Sequence, residues 1–283
     1  MTGVAAAGKS ATAARFFGQL TGKRVINGTL VAALGIAAVF APPVFAVLIL
    51  AISIIGCFEL ATLFRRGGAD LSLPVSAAAC AAYVVLAYAG LLSRYESPLV
   101  ALVVVAAAVA ALVQGVHRFM YRAAMTVFAA LYLGKLLSYF IVIRQAQHGL
   151  VLSLWLIVVI ALTDIAGMVV GMRFGRRPLA PHLSPAKTWE GALAAFACAT
   201  TVGAALAASP LIGASLWAGM LCAASISIAA QTGDLVESAL KRNAGVKDSG
   251  QLIAGHGGVL DRFDSYIVAG VVGYGALRIA GLL

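Results

Sequence analysis

Apolar runs of about 20 residues, the length that crosses a bilayer core, recur from residue 25 to the end of the chain. In lipid, a backbone in such a run must satisfy its own N–H and C=O groups, which leaves the helix as its form. Hydrophobic residues make up 62% of the 283 and charged residues only 11%, against roughly 25% charged in a soluble domain. An ordinary soluble globular domain is excluded. The expected fold class is all-α: a polytopic integral membrane protein of about nine transmembrane helices. The spans fall at about 25–41, 44–64, 71–92, 98–115, 124–143, 150–172, 188–208, 211–231 and 264–283. A polar N-terminal tail over 1–24 precedes a single transmembrane domain over 25–283. No small-residue cleavage site followed by a polar region comes after 25–41, so this run reads as an uncleaved first helix.

The basic residues orient the spans. With the N-terminus inside, one face receives nearly all the Lys and Arg, from Lys9 and Arg15 through Arg65, Arg118, Arg173 and Lys241 to Arg262. The opposite loops receive only Arg94 and Arg144. Cytoplasmic loops are Lys/Arg-rich, so the N-terminus is expected in the cytoplasm. The longest polar loops, 173–187 and 233–262, then share the cytoplasmic side. The net charge of +10 follows from the same bias. No basic tract is interleaved with aromatics, so no nucleic-acid partner is expected. Cys57, Cys80, Cys198 and Cys222 each lie in an apolar run without metal-ligand spacing, and read as buried thiols.

The chain has ten acids, and half of them lie between Asp234 and Asp264. That segment also holds Lys241, Arg242, Lys247, His256 and Arg262. As a helix, 234–242 would place Asp234, Ser238 and Lys241 on one face, with Glu237 paired to Lys241. A solvated amphipathic helix held by that pair is the competing reading. Downstream, Gly255-His256-Gly257-Gly258 lets backbone approach a ligand closely. Asp261 and Asp264 follow, one turn apart, as two carboxylates that suit Mg²⁺. Arg262 between them offers a forked phosphate contact. A turn with a carboxylate helix cap explains the same residues without a ligand. Ser184-Pro185-Ala186-Lys187-Thr188-Trp189-Glu190-Gly191 reads as a helix start, with Lys187 as a point charge for a phosphate. Asp164 is an acid inside a span, where carboxylates are costly and default to function. Glu59 and Lys135, also inside spans, are expected to pair with each other structurally.

These residues resemble the phosphatidate cytidylyltransferases, also called CDP-diacylglycerol synthases. The resemblance rests on Ser238-Ala239-Leu240-Lys241-Arg242, then Lys247-Asp248, then His256-Gly257-Gly258-Val259-Leu260-Asp261-Arg262-Phe263-Asp264, at the family's spacing throughout. Gly233 to Ser238 and Ser184 to Gly191 extend it, Asp164 matches an acid upstream of the latter motif, and Glu59 resembles an early family acid. Ala254 departs from the family pattern without removing a ligand. The resemblance implies a catalytic transmembrane domain that uses CTP and phosphatidate among membrane lipids. It implies Mg²⁺ held by Asp234 and Asp261, with room for a second cation. The implied catalytic set is Asp164, Lys187, Ser238, Lys241, Arg242, Lys247, Asp248, His256, Arg262 and Asp264. Substrate contacts fall to Ser184, Lys187, Lys241, Arg242, Gly257, Gly258 and Arg262. The setting implied is a bacterial-style inner membrane with the site facing the cytoplasm, and a homodimer stays open. Two rivals stand beside this reading: a CTP-dependent enzyme acting on another lipid phosphate or a polyprenol, and an ion or proton transporter built on Asp164, Glu59 and Lys135.

Overall fold

A computed structural model of the chain describes residues 33–250 and 257–283. Among these, 33–40 is helical, and nine α-helices follow it. They are α1 (Pro42–Arg66), α2 (Leu73–Tyr88), α3 (Leu92–Val113), α4 (Phe119–Ala129), α5 (Leu136–Gln145), α6 (Gly149–Phe174), α7 (Trp189–Ala207), α8 (Leu216–Asn243) and α9 (Leu260–Ile279). A π-helical segment, Ala130–Lys135, joins α4 to α5 without a break. Two short strands, β1 (Pro178–Ala180) and β2 (Ser184–Thr188), pair antiparallel between α6 and α7.

Six of these segments are long and apolar enough to cross a membrane: Pro42–Arg66, Leu92–Val113, Phe119–Gln145, Gly149–Phe174, Trp189–Ala207 and Leu216–Asn243. The protein is an all-α integral membrane protein with one small hairpin. Its outer surface confirms the class by composition, since Leu221, Val105 and Ile228 are more than half exposed. A skin of large apolar side chains suits lipid and would be an aggregation hazard in water.

The helix starts follow local chemistry. Pro residues sit in the first turns of α1 and α2, where the missing N–H costs nothing. Thr188 Oγ1 accepts from Gly191 N (3.2 Å) at the start of α7, and Ser215 Oγ accepts from Ala218 N (3.2 Å) at the start of α8.

Helices stand over most of the expected spans, but α2, over the expected span 71–92, has only 16 residues, and α9, over 264–283, is not among the six; two further segments also differ from expectation. Helix α8 runs unbroken to Asn243, so the helix expected over 234–242 is present but continues the span before it instead of standing within a loop. Its 28 residues correspond to about 42 Å, well over the ~30 Å hydrocarbon core, and its acidic end therefore reaches past the apolar layer. The expected loop 173–187 contains the β1–β2 hairpin. The expected span 25–41 and the tail 1–24 lie largely or wholly outside the described residues.

Small residues bring α6, α7, α8 and α9 together. A Cβ at Gly203 on α7 would stand 2.7 Å from Ala223 on α8, and one at Gly191 would stand 2.7 Å from the Gly167 carbonyl on α6. Close approach at small residues is the usual way helices associate in lipid, where burial of apolar surface drives little. Gly233 on α8 leaves room for the backbone of Asp264 on α9, which brings the acidic ends of these two helices into register.

Candidate active site

The site is built at the ends of α1, α8 and α9, the hairpin and the turn after α8. Helix α8 supplies its axis. Asp234, Glu237 and Lys241 lie at helical spacing and look toward α9 and the hairpin.

Two ion-paired groups share that helix. In the first, Lys187 of β2 pairs with Asp234. The charges of Asp164 on α6 and Asp264 on α9 act on Asp234 and on each other. Asp164 Oδ1 accepts from Ser265 Oγ (3.1 Å), and Asp264 Oδ1 accepts from the Ser265 amide (2.7 Å). In the second, Lys241 pairs with Glu237 and with Asp261 Oδ1 (2.7 Å). Glu237 is fully buried, so the ammonium of Lys241 is what keeps its charge tolerable there.

Asp261 organises the glycine turn. Its Oδ2 accepts from Gly258 N (2.7 Å), Ser249 N (2.9 Å) and Ser249 Oγ (2.9 Å). Asp261 lies ahead of the apolar part of α9. Burial pushes its carboxyl up, but Lys241 and the amides of Gly258 and Ser249 outweigh burial and hold it below the ordinary carboxylate range. Gly257 has φ +84°, and a Cβ there would meet Asp261 Oδ2, so glycine serves both backbone and carboxylate at this position.

Glu59 carries a role that the sequence did not reveal. Its expected partner, Lys135, pairs with Glu96 instead (2.7 Å). Glu59 is buried and accepts from Val259 N (2.8 Å), Leu260 N (2.9 Å) and Ser249 Oγ (3.1 Å). A carboxylate from α1 thus caps the start of α9, 200 residues away. Ser249 reaches both Glu59 and Asp261. Glu190 is a second such residue: it accepts from the Arg176 and Arg177 amides (2.9 and 3.2 Å) and ties the hairpin to α7. Any residue-level signal for either bond would have required knowing the fold.

Of the expected site residues, Asp164, Lys187, Asp234, Lys241, Asp261 and Asp264 come together around the ends of α8 and α9. Gly257 and Gly258 border Asp261, and Ser238 is buried on α8. Arg242 turns toward the hairpin, donating to Leu183 O (3.0 Å) beside Ser184, and also to Val246 O (3.1 Å). Lys247, Asp248 and Arg262 are exposed at the rim. His256 lies outside the described residues.

The matching of signs is the decisive feature. Each carboxylate expected to hold a cation is held by a lysine expected to hold a phosphate: Asp234 by Lys187, Asp261 by Lys241. The model of the cytidylyltransferase family matches residues 22–280. The chain belongs to the cytidylyltransferase family. It is 41% identical over 140 residues to the phosphatidate cytidylyltransferase of Bacillus subtilis (strain 168), covering 49% of this chain and 52% of that one. Over 164 residues it is 32% identical to the phosphatidate cytidylyltransferase of Mycobacterium leprae (strain TN), covering 58% of this chain and 52% of the relative. With the chloroplastic phosphatidate cytidylyltransferase 5 of Arabidopsis thaliana it shares 41% identity over 120 residues, 42% of this chain and 30% of the relative. The chain thus spans about half the length, or less, of these curated relatives.

The donor set suits a hard cation, being carboxylate oxygen without thiolate. As they stand, no three His, Cys, Asp or Glu side chains among the described residues are close enough to form a cation site. Lysine ammonium groups occupy the positions of positive charge beside Asp234 and Asp261.

Proposed function

We propose that this protein transfers the cytidylyl group of CTP to phosphatidate, giving CDP-diacylglycerol and pyrophosphate. The observation that carries the reading is the pair of lysine–carboxylate contacts, Lys187–Asp234 and Lys241–Asp261, which gathers the family's motif residues from three separate elements. A phosphate monoester has a second pKa of about 6, so the lipid phosphate is largely dianionic at neutral pH and no strong base is needed. One of its oxygens attacks the α-phosphorus of CTP as the bond to the β-phosphate oxygen breaks and pyrophosphate leaves.

The residues' task is then positioning and charge balance. Lys187 and Lys241 neutralise phosphate oxygens, with Arg242, Lys247 and Arg262 along the rim and Ser184 and Ser238 as hydroxyl donors. Asp234 and Asp261 would hold Mg²⁺, with Asp164 and Asp264 near Asp234, and a second cation would draw on the same acidic set. The chemistry such an ion would supply there is positive charge on the phosphates and on the leaving pyrophosphate. Phosphates bound by Lys187 and Lys241 would leave Asp234 and Asp261 available to the cation.

The orientation belongs to the same proposal. Nine spans with the N-terminus inside place this site on the cytoplasmic face of a bacterial inner membrane, supported by the basic bias of that side. The transporter reading ranks below this one, because half of the ten acids fall between Asp234 and Asp264, in the motif segment, and Asp164 inside α6 stands apart from them in sequence.

Purified protein in detergent, given CTP, phosphatidate and Mg²⁺, is expected to release pyrophosphate and form lipid-linked CMP. EDTA is expected to stop both. Asp261→Asn is expected to lower turnover by roughly 100-fold, the scale of removing one electrostatic stabiliser. Near-normal turnover in that variant overturns the metal assignment. Product with a polyprenol phosphate or a prenyl-ether lipid phosphate, but not with phosphatidate, overturns the choice of acceptor.

A further inference from the structure

Tyr132 lies in the π-helical segment Ala130–Lys135, between α4 and α5. Nothing in the family motifs points to it. Its residue is 94% buried, being 6% exposed. Its hydroxyl has no hydrogen-bond partner among the described residues. A buried hydroxyl without a partner is rare in folded proteins and costs stability. The ring is held firmly, stacked on Phe128 with centroids 5.0 Å apart and planes at 15°. The phenol feels the charges of Asp264, Glu237 and Asp234, the carboxylates that line α8 and α9 at the site. A π-helical turn inserts an extra residue and re-aims side chains, and such turns recur at functional sites.

Glu237 points the same way. It is fully buried, and neither of its oxygens has a hydrogen-bond partner among the described residues beyond the ion pair with Lys241. The Glu237 carboxylate lies close enough for its charge to act on the phenol, and of the two groups the Tyr132 hydroxyl is the one without a partner among the described residues. A neutral phenol is a donor that brings no charge. It can approach a phosphate crowded by lysines without disturbing their balance with the carboxylates. The strong acceptors that enter this site in cytidylyl transfer are phosphate oxygens.

We propose that the Tyr132 hydroxyl donates a hydrogen bond to a phosphate oxygen of bound substrate, which makes Tyr132 a further substrate-binding residue of the site. This rests on the cytidylyl-transfer reading above. Tyr132→Phe tests it cleanly, since the ring and its stacking on Phe128 remain and only the oxygen is removed.

The experiment compares wild-type and Tyr132→Phe protein in detergent, varying phosphatidate and CTP in turn, and measures thermal unfolding without substrate. Loss of one donor to a charged oxygen is expected to lower kcat/KM by about 10-fold or more. The unfolding midpoint is expected to stay equal or to rise, because a hydroxyl without a partner has been taken out of the interior. A loss confined to phosphatidate assigns the lipid phosphate, and a loss confined to CTP assigns the nucleotide. Unchanged kcat/KM for both overturns the proposal. So does a fall in midpoint that accompanies the loss, for it shows the hydroxyl bonded within the protein. Wild-type protein without turnover overturns the cytidylyl-transfer reading itself, and this proposal with it.

Discussion

Glu59 shows how much one side chain can fix at a distance. Three donors converge on its carboxylate: two amides at the start of α9 and the Ser249 hydroxyl. Glu59→Gln keeps one acceptor oxygen and turns the other into a donor that faces donors. Hydrogen bonds to charged groups contribute about 1.5–3 kcal/mol, so a loss of roughly 2 kcal/mol in stability is expected, read as a lower thermal midpoint in detergent. An unchanged midpoint means the start of α9 is capped by something else. Lys241 carries a second prediction. Its ammonium is the partner of the fully buried Glu237 as well as of Asp261. Breaking a buried pair by removing one partner costs about 3–5 kcal/mol, so Lys241→Met is expected to be severely destabilised. Adding Glu237→Gln to that variant removes the stranded charge and is expected to restore part of the lost midpoint. A double variant no more stable than the single one would show that Glu237 is not charged in the absence of Lys241. The Glu237–Lys241 pair was legible from its i, i+4 spacing, whereas the bonds of Glu59 were not. The hydropathy of α1 marks Glu59 as buried, but its partners lie about 200 positions away, and nothing local distinguishes them from Lys135.

At the scale of elements, what the sequence conveys well is length and polarity. Helices α1, α6 and α7, and the continuous segment Phe119–Gln145, follow from apolar runs, because a bilayer sets their length. Three elements escape that logic. Helix α8 continues through Asp234, Glu237 and Lys241, where falling hydropathy mimics a loop although the helical hydrogen bonding persists. The hairpin over Pro178–Thr188 is too short to carry a periodicity. The π segment is a local change of hydrogen-bond register, with no compositional mark. Glycines likewise look alike in sequence and differ in the fold. At Gly191 a Cβ would press on the backbone of α6, 2.7 Å from Gly167 O and 3.1 Å from Gly171 Cα, and backbone cannot swing aside as a side-chain tip can. At Gly275 on α9 nothing lies within 4 Å of that position. Gly191→Ala is expected to part α6 from α7 and cost about 1–3 kcal/mol, with Lys187 displaced and turnover reduced. Gly275→Ala is expected to be neutral or to gain about 0.5–1 kcal/mol from lost chain entropy in the unfolded state. Unfolding midpoints of the two variants decide it, and equal values would show that the α6–α7 contact yields.

The whole molecule is polarised. Its carboxylate–lysine groups, the hairpin and the glycine turn gather at one end of the helices, where the elements that carry them are joined by Arg242, Glu190 and Glu59. The Lys135–Glu96 pair and Tyr139, bonded to Glu96 (3.0 Å), lie apart from those groups, within the helices. That asymmetry was legible in outline, since charge bias follows from the sequence, while the way three elements interlock required the fold. It also makes the proposed orientation testable with one helix. Helix α7, 19 residues long, spans about 28 Å, close to the ~30 Å core, and separates His182 on the hairpin from Ala208 at its far end. Both positions are exposed, so a cysteine at either meets a water-soluble reagent. Three of the native cysteines are buried, and the fourth, Cys198, is part-buried within α7. In cells of a bacterial host whose outer barrier has been opened, a membrane-impermeant maleimide is expected to label Ala208→Cys. Label at His182→Cys is expected only after the inner membrane is permeabilised. The reverse pattern would place the carboxylate–lysine cluster outside, where CTP is not supplied, and would defeat the cytidylyl-transfer reading on topological grounds alone. Label at both positions before permeabilisation would mean that α7 does not cross.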